Sequence, residues 1–453
     1  MNKARMDGLY LLLAGMAIFV AVCGASERLG IAWMIDFKSI YYGTRCLMEH
    51  RDPYQLSELT QVYEKESGAR MADQIELRRR QAQLIYINLP TAFIVLAPFG
   101  LMTWGPAHIV WMVLTGAGLM LCAVLMWRLG AERAPALSGG LAGLWLLNCI
   151  GLFLLGNAAG IAVSLCVIAV WCFIRERLAA VGILCLALSL TLKPQDAGLV
   201  WLYFLLAGGT YRKRALETLG LTAILSVCAV LWVHQISPDW MHELSANLIS
   251  TTTGQNGVNN PASYAVDVGS VGMMICLQTV TSVLWSSATI SNAVTYAICG
   301  ALLLIWAAIT LRTSANAERT WIALAAIAAL SMLPVYHRSH DAKLLLLALP
   351  ACALISAERN WVGRLAAVIT TATFFFTGDL ALYLLVHLSQ PMRQALPGWS
   401  GKAATVLIAR PAPLSLLVLT IFYLWVYAKR ANSKAVTARA ADGQPSPLAA
   451  ERI

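Results

Sequence analysis

Long apolar runs separated by short basic segments recur along almost the whole chain, and this alternation restricts the fold more than any motif does. The runs fall at 8–25, 107–127, 137–155, 158–174, 179–194, 197–209, 216–236, 291–311, 319–335, 342–357, 361–387 and 412–428. Most approach the roughly 20 residues that a helix needs to cross a hydrocarbon layer about 30 Å thick. With 59% hydrophobic residues and only 12% charged, a soluble globular domain is excluded. The chain reads as an all-α polytopic membrane protein of about twelve transmembrane helices. The first run follows Lys3 and Arg5, and no small-residue cleavage site with a hydrophilic domain comes after it. It therefore reads as a retained span and not as a signal peptide.

The formal net charge of +10 would suggest nucleic acid if it were spread over a surface, but it is not. Its whole excess lies in one set of segments: Lys3 and Arg5, Arg128–Arg133, Arg175–Arg177, Arg212–Arg214, Arg312–Arg319, Arg359–Arg364 and the tail from Lys429. Basic residues collected on alternate connections mark the cytoplasmic side. Both termini are then cytoplasmic, the protein belongs in the plasma (inner) membrane, and nucleic-acid binding is excluded as the meaning of the charge.

That orientation raises a question of parity at Leu84–Met102. The segment is apolar enough to span, yet a crossing there would invert every later loop. It contains Pro90 and Pro98 and is followed by Trp104-Gly105-Pro106, so a re-entrant segment packed against other helices satisfies both the charges and the broken backbone. A full span with a weaker charge bias is the other reading.

Residues 1–430 form the membrane domain, with large extracytoplasmic loops at 26–83 and 237–270. The first loop is charge-balanced, with nine basic and nine acidic residues, and Leu56–Gln83 reads as surface helix. The second contains the polar run Ser250–Pro261, which has little reason to be helical and suits a lid. Residues 431–453 read as a disordered cytoplasmic tail. Ten of the eleven cysteines lie in or beside apolar runs and only Cys46 sits in a loop, so the thiols read as packing residues and not as disulfides or metal ligands.

A small set of polar residues falls on the outer face beside apolar helix ends: Asp36, Asn88, Asn157, Lys193, His337, Arg338, His340 and Asp341. Asp36, flanked by Met34, Ile35 and Phe37, is either a helix cap for a segment starting at Phe37 or a general base with a raised pKa. Lys193, followed by Pro194, either snorkels or meets an anion, for which a lipid phosphate is the natural candidate. In the turn Tyr336–Asp341, Arg338 offers a planar fork to phosphate and the two histidines can donate or accept protons. A solvated turn and a metal site are the competing readings there, although the spacing matches no established ligand pattern. Asp379, inside an apolar run, is a further suspect kept apart from this set.

Several of these residues sit in motifs that carry a resemblance. Asp36-Phe37 followed by Tyr41-Tyr42 and Asp52-Pro53-Tyr54, then Tyr86–Pro90 with Pro98, Gly156-Asn157, Leu192-Lys193-Pro194 and His337–Asp341 together resemble glycosyltransferase family 87. These are membrane enzymes of the C-type glycosyltransferase fold and include polyprenyl-phosphate-mannose-dependent α-mannosyltransferases. Leu89-Pro90 stands where the family often has two prolines, and Asn157 where glutamine is common.

The resemblance implies a hexosyltransferase, with mannose the leading sugar. It would take the sugar from a polyprenyl-phosphate donor to a glycolipid or glycan acceptor at the outer face of the bilayer, with inversion at the sugar carbon. Asp36 would be the catalytic base, and Lys193 with Arg338 would meet the donor phosphate. Tyr41, Tyr42, Asn88, Asn157, His337, His340 and Asp341 would line the substrates. No Asp-x-Asp pair occurs in the first loop, which favours a metal-independent reaction without cofactor. The alternative from another class is a transporter or flippase of a lipid-linked or small polar substrate, against which stands the lack of repeated halves.

Overall fold

Helices account for nearly all of the regular structure, as chains without water to satisfy their backbone require. The computed structural model describes residues 3–30, 34–67, 84–252, 274–379, 381–385, 387 and 398–441. In chain order the first helices are α1 (Lys3–Arg28), α2 (Ile35–Met48), α3 (Leu56–Ser67), α4 (Phe93–Gly100), α5 (Trp104–Gly130), α6 (Pro135–Asn148), α7 (Ile150–Leu155) and α8 (Ala159–Ile174). They are followed by α9 (Ala179–Leu192), α10 (Pro194–Ala207), α11 (Gly209–Ile236), α12 (Trp240–Thr252), α13 (Gln278–Leu284) and α14 (Ala288–Arg312). The last are α15 (Ala317–Leu330), α16 (Ala348–Ser356), α17 (Trp361–Phe376), α18 (Gly398–Ala404) and α19 (Pro411–Ala441). Among the described residues there is no sheet, only an isolated antiparallel bridge between Met274 and Arg338.

Among the described residues, six stretches are long and apolar enough to cross a membrane: Lys3–Arg28, Trp104–Gly130, Pro135–Leu155, Gly209–Ile236, Ala288–Arg312 and Pro411–Ala431. The other apolar runs form shorter helices, among them Ala159–Ile174, Ala179–Leu192 and Trp361–Phe376, so the count of twelve full crossings does not follow from helix length. Leu231, Leu304 and Val368 are more than half exposed, a surface that suits lipid and not water. This is a polytopic all-α membrane protein.

The 84–102 segment has no regular structure from Ile85 to Leu89, turns through a 3-10 helix at Pro90–Ala92 and continues as α4. Its three and eight helical residues rise roughly 18 Å, about half of a hydrocarbon layer. Pro90 at the first helical position costs no hydrogen bond, and the Thr91 hydroxyl donates to the Thr191 carbonyl near the end of α9 at 2.7 Å.

Two apolar cores result. The larger is formed chiefly by α5, α6, α8, α15, α16 and α19. The smaller is aromatic and gathers Phe37, Tyr41, Tyr54, Tyr86, Phe93, Phe99 and Trp111, which joins the first loop to α4 and α5. Close approach of α1 to α6 depends on glycine: a Cβ at Gly143 would meet the Leu11 carbonyl oxygen at 3.0 Å.

Several expectations meet the structure here. Cys46 lies buried inside α2, not in a loop, because that helix turns an apolar face onto the aromatic core. All eleven cysteines are free. Of the helix expected over 56–83, α3 covers the first part, and 68–83 lies outside the described residues. The polar run Ser250–Pro261 is helical at Ser250–Thr252 and beyond that lies outside them too. The tail from residue 431 continues α19 as far as Ala441, and 442–453 is not described.

Candidate active site

Asp36 enters the site from the first turn of α2. The helix begins at Ile35, so the cap position belongs to Met34, which adopts left-handed φ 48°. The expectation that Asp36 caps a helix starting at Phe37 is therefore overturned, because the helix starts one residue before the carboxylate. Its placement in the first turn still sets the carboxylate near the positive helix end.

The partner surface is the bend between α7 and α8. Met34 N–H donates to the Leu154 carbonyl at 2.9 Å, and Gly156 holds φ +67°. A Cβ on Gly156 would lie 2.7 Å from Phe37 Cβ, so the two segments touch only because this residue is glycine. That contact brings Asn157 Nδ2 to Oδ2 of Asp36 at 2.6 Å. The Asn157 side-chain oxygen accepts from Ala159 N–H at 2.9 Å, which leaves the amide only its NH2 to offer the carboxylate.

Loss of hydration raises the Asp36 pKa above the ordinary carboxylate range. The Asn157 hydrogen bond and the charges of Arg338 and Lys193 pull it back, while Asp341 pushes it up again. Asp36, Arg338, Lys193 and Asp341 thus share one electrostatic neighbourhood, although they are far apart in sequence.

Lys193 lies between α9 and α10, in non-helical backbone (φ −153°, ψ 79°), and Pro194 starts the next helix. Its ammonium is hydrogen-bonded to Asp341 and lies 3.5 Å from Oδ2 of Asp196. The Asp341 carboxylate organises the turn before it: Oδ2 accepts from Arg338 N–H at 2.9 Å and lies 3.1 Å from His337 Nδ1. The backbone of the turn is pinned by Met274–Leu277, with Ile275 N–H on the His337 carbonyl and Leu277 N–H on that of Leu333, each at 2.9 Å. Ser339 donates its hydroxyl to Asp379, so Asp379 supports the turn from the far side. Arg338 Nε donates to the Tyr336 hydroxyl at 2.5 Å.

His337 and His340 are both buried. Burial lowers the His340 pKa to about 3, with Asp341 opposing and Lys193 and Arg338 adding to the fall, so its imidazole is neutral at physiological pH. The Nε2 atom of His337 is buried without a hydrogen-bond partner among the described residues.

Three expected residues lie elsewhere in their chemistry. The Tyr41 hydroxyl donates to Glu66 Oε1 at 2.6 Å and to the Met102 carbonyl at 3.0 Å, and Glu66 also accepts from Trp104 N–H at 3.1 Å. Tyr42 stacks on Trp104 at 6.0 Å between ring centres. Both tyrosines fasten the first loop to the α4–α5 turn. Asn88 presents its carbonyl to the Tyr54 hydroxyl at 3.0 Å, on the same side of the aromatic core.

Asp196 was absent from the sequence reading. It is 2% exposed, three residues beyond Lys193, with Oδ1 3.7 Å from His337 Nδ1. The available signal was a carboxylate in the first turn of an otherwise apolar helix. Donor atoms of Asp196, His337 and Asp341 lie within 4.8 Å of one another, a donor set that could hold a cation. The Lys193 ammonium already supplies positive charge to both carboxylates.

The sequence model of glycosyltransferase family 87 matches residues 86–334, more than half of the chain and including Asn88, Asn157, Lys193 and Asp196. The chain belongs to glycosyltransferase family 87 and is a membrane glycosyltransferase, which sets aside the transporter alternative. Asp36 and the His337–Asp341 turn flank the matched region. No curated protein and no solved structure matches the chain.

Proposed function

We propose that this enzyme transfers a hexose, with mannose the leading candidate, from a polyprenyl-phosphate donor to a glycolipid or glycan acceptor on the extracytoplasmic face of the plasma membrane. The observation that carries the reading is Asp36, fixed through Oδ2 by Asn157 at 2.6 Å and lying in the field of both Arg338 and Lys193. One carboxylate oxygen is held and the other is left to accept from an acceptor hydroxyl.

In this mechanism Asp36 takes the hydroxyl proton as the acceptor oxygen attacks the sugar carbon, and the phosphate leaves from the opposite face. A base with a raised pKa is better matched to a hydroxyl than an ordinary surface carboxylate. Arg338 and the remaining donor capacity of Lys193 stabilise the charge that develops on the departing phosphate. His340, neutral at working pH, can hydrogen-bond a sugar hydroxyl without adding charge. Asn88, Tyr41 and Tyr42 act in this reading through the wall that they build around the acceptor side.

Reconstitution in vesicles with polyprenyl-phosphate mannose and a glycolipid acceptor tests it. Asp36→Asn is expected to lower transfer by at least about 10²-fold with normal membrane insertion. Wild-type-like transfer by that variant would overturn Asp36 as the base.

A further inference from the structure

Exposure alternates along the turn that follows α15. Tyr336 is 38% exposed, His337 is 1%, Arg338 is half-buried and Ser339 is 1%. The alternation is that of residues around a β-bridge, here the one that pairs Arg338 with Met274, in which positions i and i+2 point the same way. The inward side chains hold the turn, His337 against Asp341 and Ser339 on Asp379. The outward pair hold each other. Arg338 Nε donates to the Tyr336 hydroxyl at 2.5 Å, and the guanidinium carbon lies 5.9 Å from the centre of the Tyr336 ring. The pair borders the anion site, because Tyr336 lies in the field of Lys193 and Arg338 in that of Asp36.

The backbone of Arg338 is fixed twice, by its N–H on Asp341 Oδ2 at 2.9 Å and by the bridge to Met274. Backbone anchoring does not set the direction of a long side chain with several rotatable bonds. A guanidinium reads phosphate through two N–H groups in one plane, so the orientation of that plane decides whether the fork can engage. A hydrogen bond at Nε uses the side edge of the group, away from the Nη1 and Nη2 fork, and fixes the plane in which the fork lies. We propose that Tyr336 is a positioning residue for donor binding, whose hydroxyl sets the plane of the Arg338 guanidinium so that the fork meets the phosphate of the lipid-linked sugar. The proposal rests on the reading of Arg338 as a donor-phosphate ligand. Tyr336 acts through Arg338 and adds no phosphate contact of its own, which separates its role from that of Lys193. The competing reading is surface packing of a tyrosine on an arginine, which would leave donor affinity unchanged.

The experiment is binding of polyprenyl-phosphate mannose to the full-length protein in nanodiscs without acceptor, comparing wild type with Tyr336→Phe, Arg338→Met and the double variant. Tyr336→Phe keeps the ring and its packing and removes only the hydroxyl. Fixing one rotamer-rich side chain in advance is worth about three- to tenfold in affinity, so Tyr336→Phe should raise Kd by that factor with a melting temperature close to wild type. Arg338→Met should raise Kd by at least about tenfold. The double variant should bind no more weakly than Arg338→Met, because a residue that acts through the guanidinium has nothing to position once it is gone. Losses that multiply in the double variant would make Tyr336 an independent ligand of the donor and overturn the inference. A Tyr336→Phe protein that fails to insert overturns it too, since the hydroxyl would then hold the turn and not the fork. Unchanged Kd in Tyr336→Phe alone removes this inference and leaves the Arg338 reading standing. Unchanged Kd in Arg338→Met removes both, and wild type that binds no donor removes the proposed donor with them.

Discussion

Asn157 and Asp36, 121 residues apart in sequence, are joined by a 2.6 Å hydrogen bond whose direction is fixed, because the other end of the amide accepts from Ala159 N–H. Asn157→Leu removes the donor but keeps the volume. The loss of a hydrogen bond to a charged group is worth roughly 1.5–3 kcal/mol, so kcat is expected to fall about tenfold or more with acceptor KM little changed. A steady-state comparison in vesicles checks this, and equal kcat would remove Asn157 from the positioning of the base.

The same bond sets a pH dependence. Asp36 has a raised pKa, and Asn157 lowers it from what burial alone would give. A general base works in its ionised form, so the acid limb of kcat/KM should lie above the ordinary aspartate value of about 3.9. Asn157→Ala should shift that limb further towards neutral pH. A limb that stays in place or moves to lower pH contradicts the assignment.

His340 makes a prediction about stability. Its pKa falls to about 3 in the folded protein, while the unfolded chain binds the proton near 6.5. The neutral imidazole therefore contributes stability that is full above about pH 6.5 and is lost as pH falls towards about 3. Thermal melting in detergent between those values should show His340→Gln losing less Tm on acidification than wild type.

Gly156 combines φ +67° with a site for a Cβ only 2.7 Å from Phe37 Cβ. Gly156→Ala should destabilise the protein by about 1–3 kcal/mol and should also lower activity by moving Asn157 off Asp36. Full activity in that variant would show that the close contact is not what aligns the pair.

Tyr41→Phe tests the wall and not the chemistry. It leaves Glu66, whose Oε2 already lacks a hydrogen-bond partner, with one donor fewer, a cost of roughly 1–3 kcal/mol. Protease protection of the first loop should fall, while kcat of the intact fraction stays near wild type. A kcat loss as deep as that of Asp36→Asn would instead put Tyr41 at the substrate.

The membrane class was legible from composition, because lipid permits only a few ways to satisfy a backbone. The polar residues at the ends of apolar runs were legible as suspects, since a Lys193 or an Asp341 at the end of an apolar helix has few bland explanations. Their pairing was not. Asp196 escaped because a carboxylate in the first turn of a helix looks like ordinary dipole compensation until its burial is known. Tyr41 and Tyr42 were brought in by the family resemblance, and their partners were not legible: the Tyr41 hydroxyl reaches Glu66 and Tyr42 stacks on Trp104. Length was a weak guide to crossings, for α9 and α10 have 14 residues each, short of the roughly 20 that a full crossing needs.

The short rise of Pro90–Gly100, about 18 Å beside α2, has a consequence for traffic. On the proposed reading, a lipid-linked sugar needs no door that opens through the full thickness of the bilayer. A sill of half height lets head and tail travel sideways together, each at the depth where its own solvent lies, so that delivery becomes a problem of lateral diffusion and not of vertical transport.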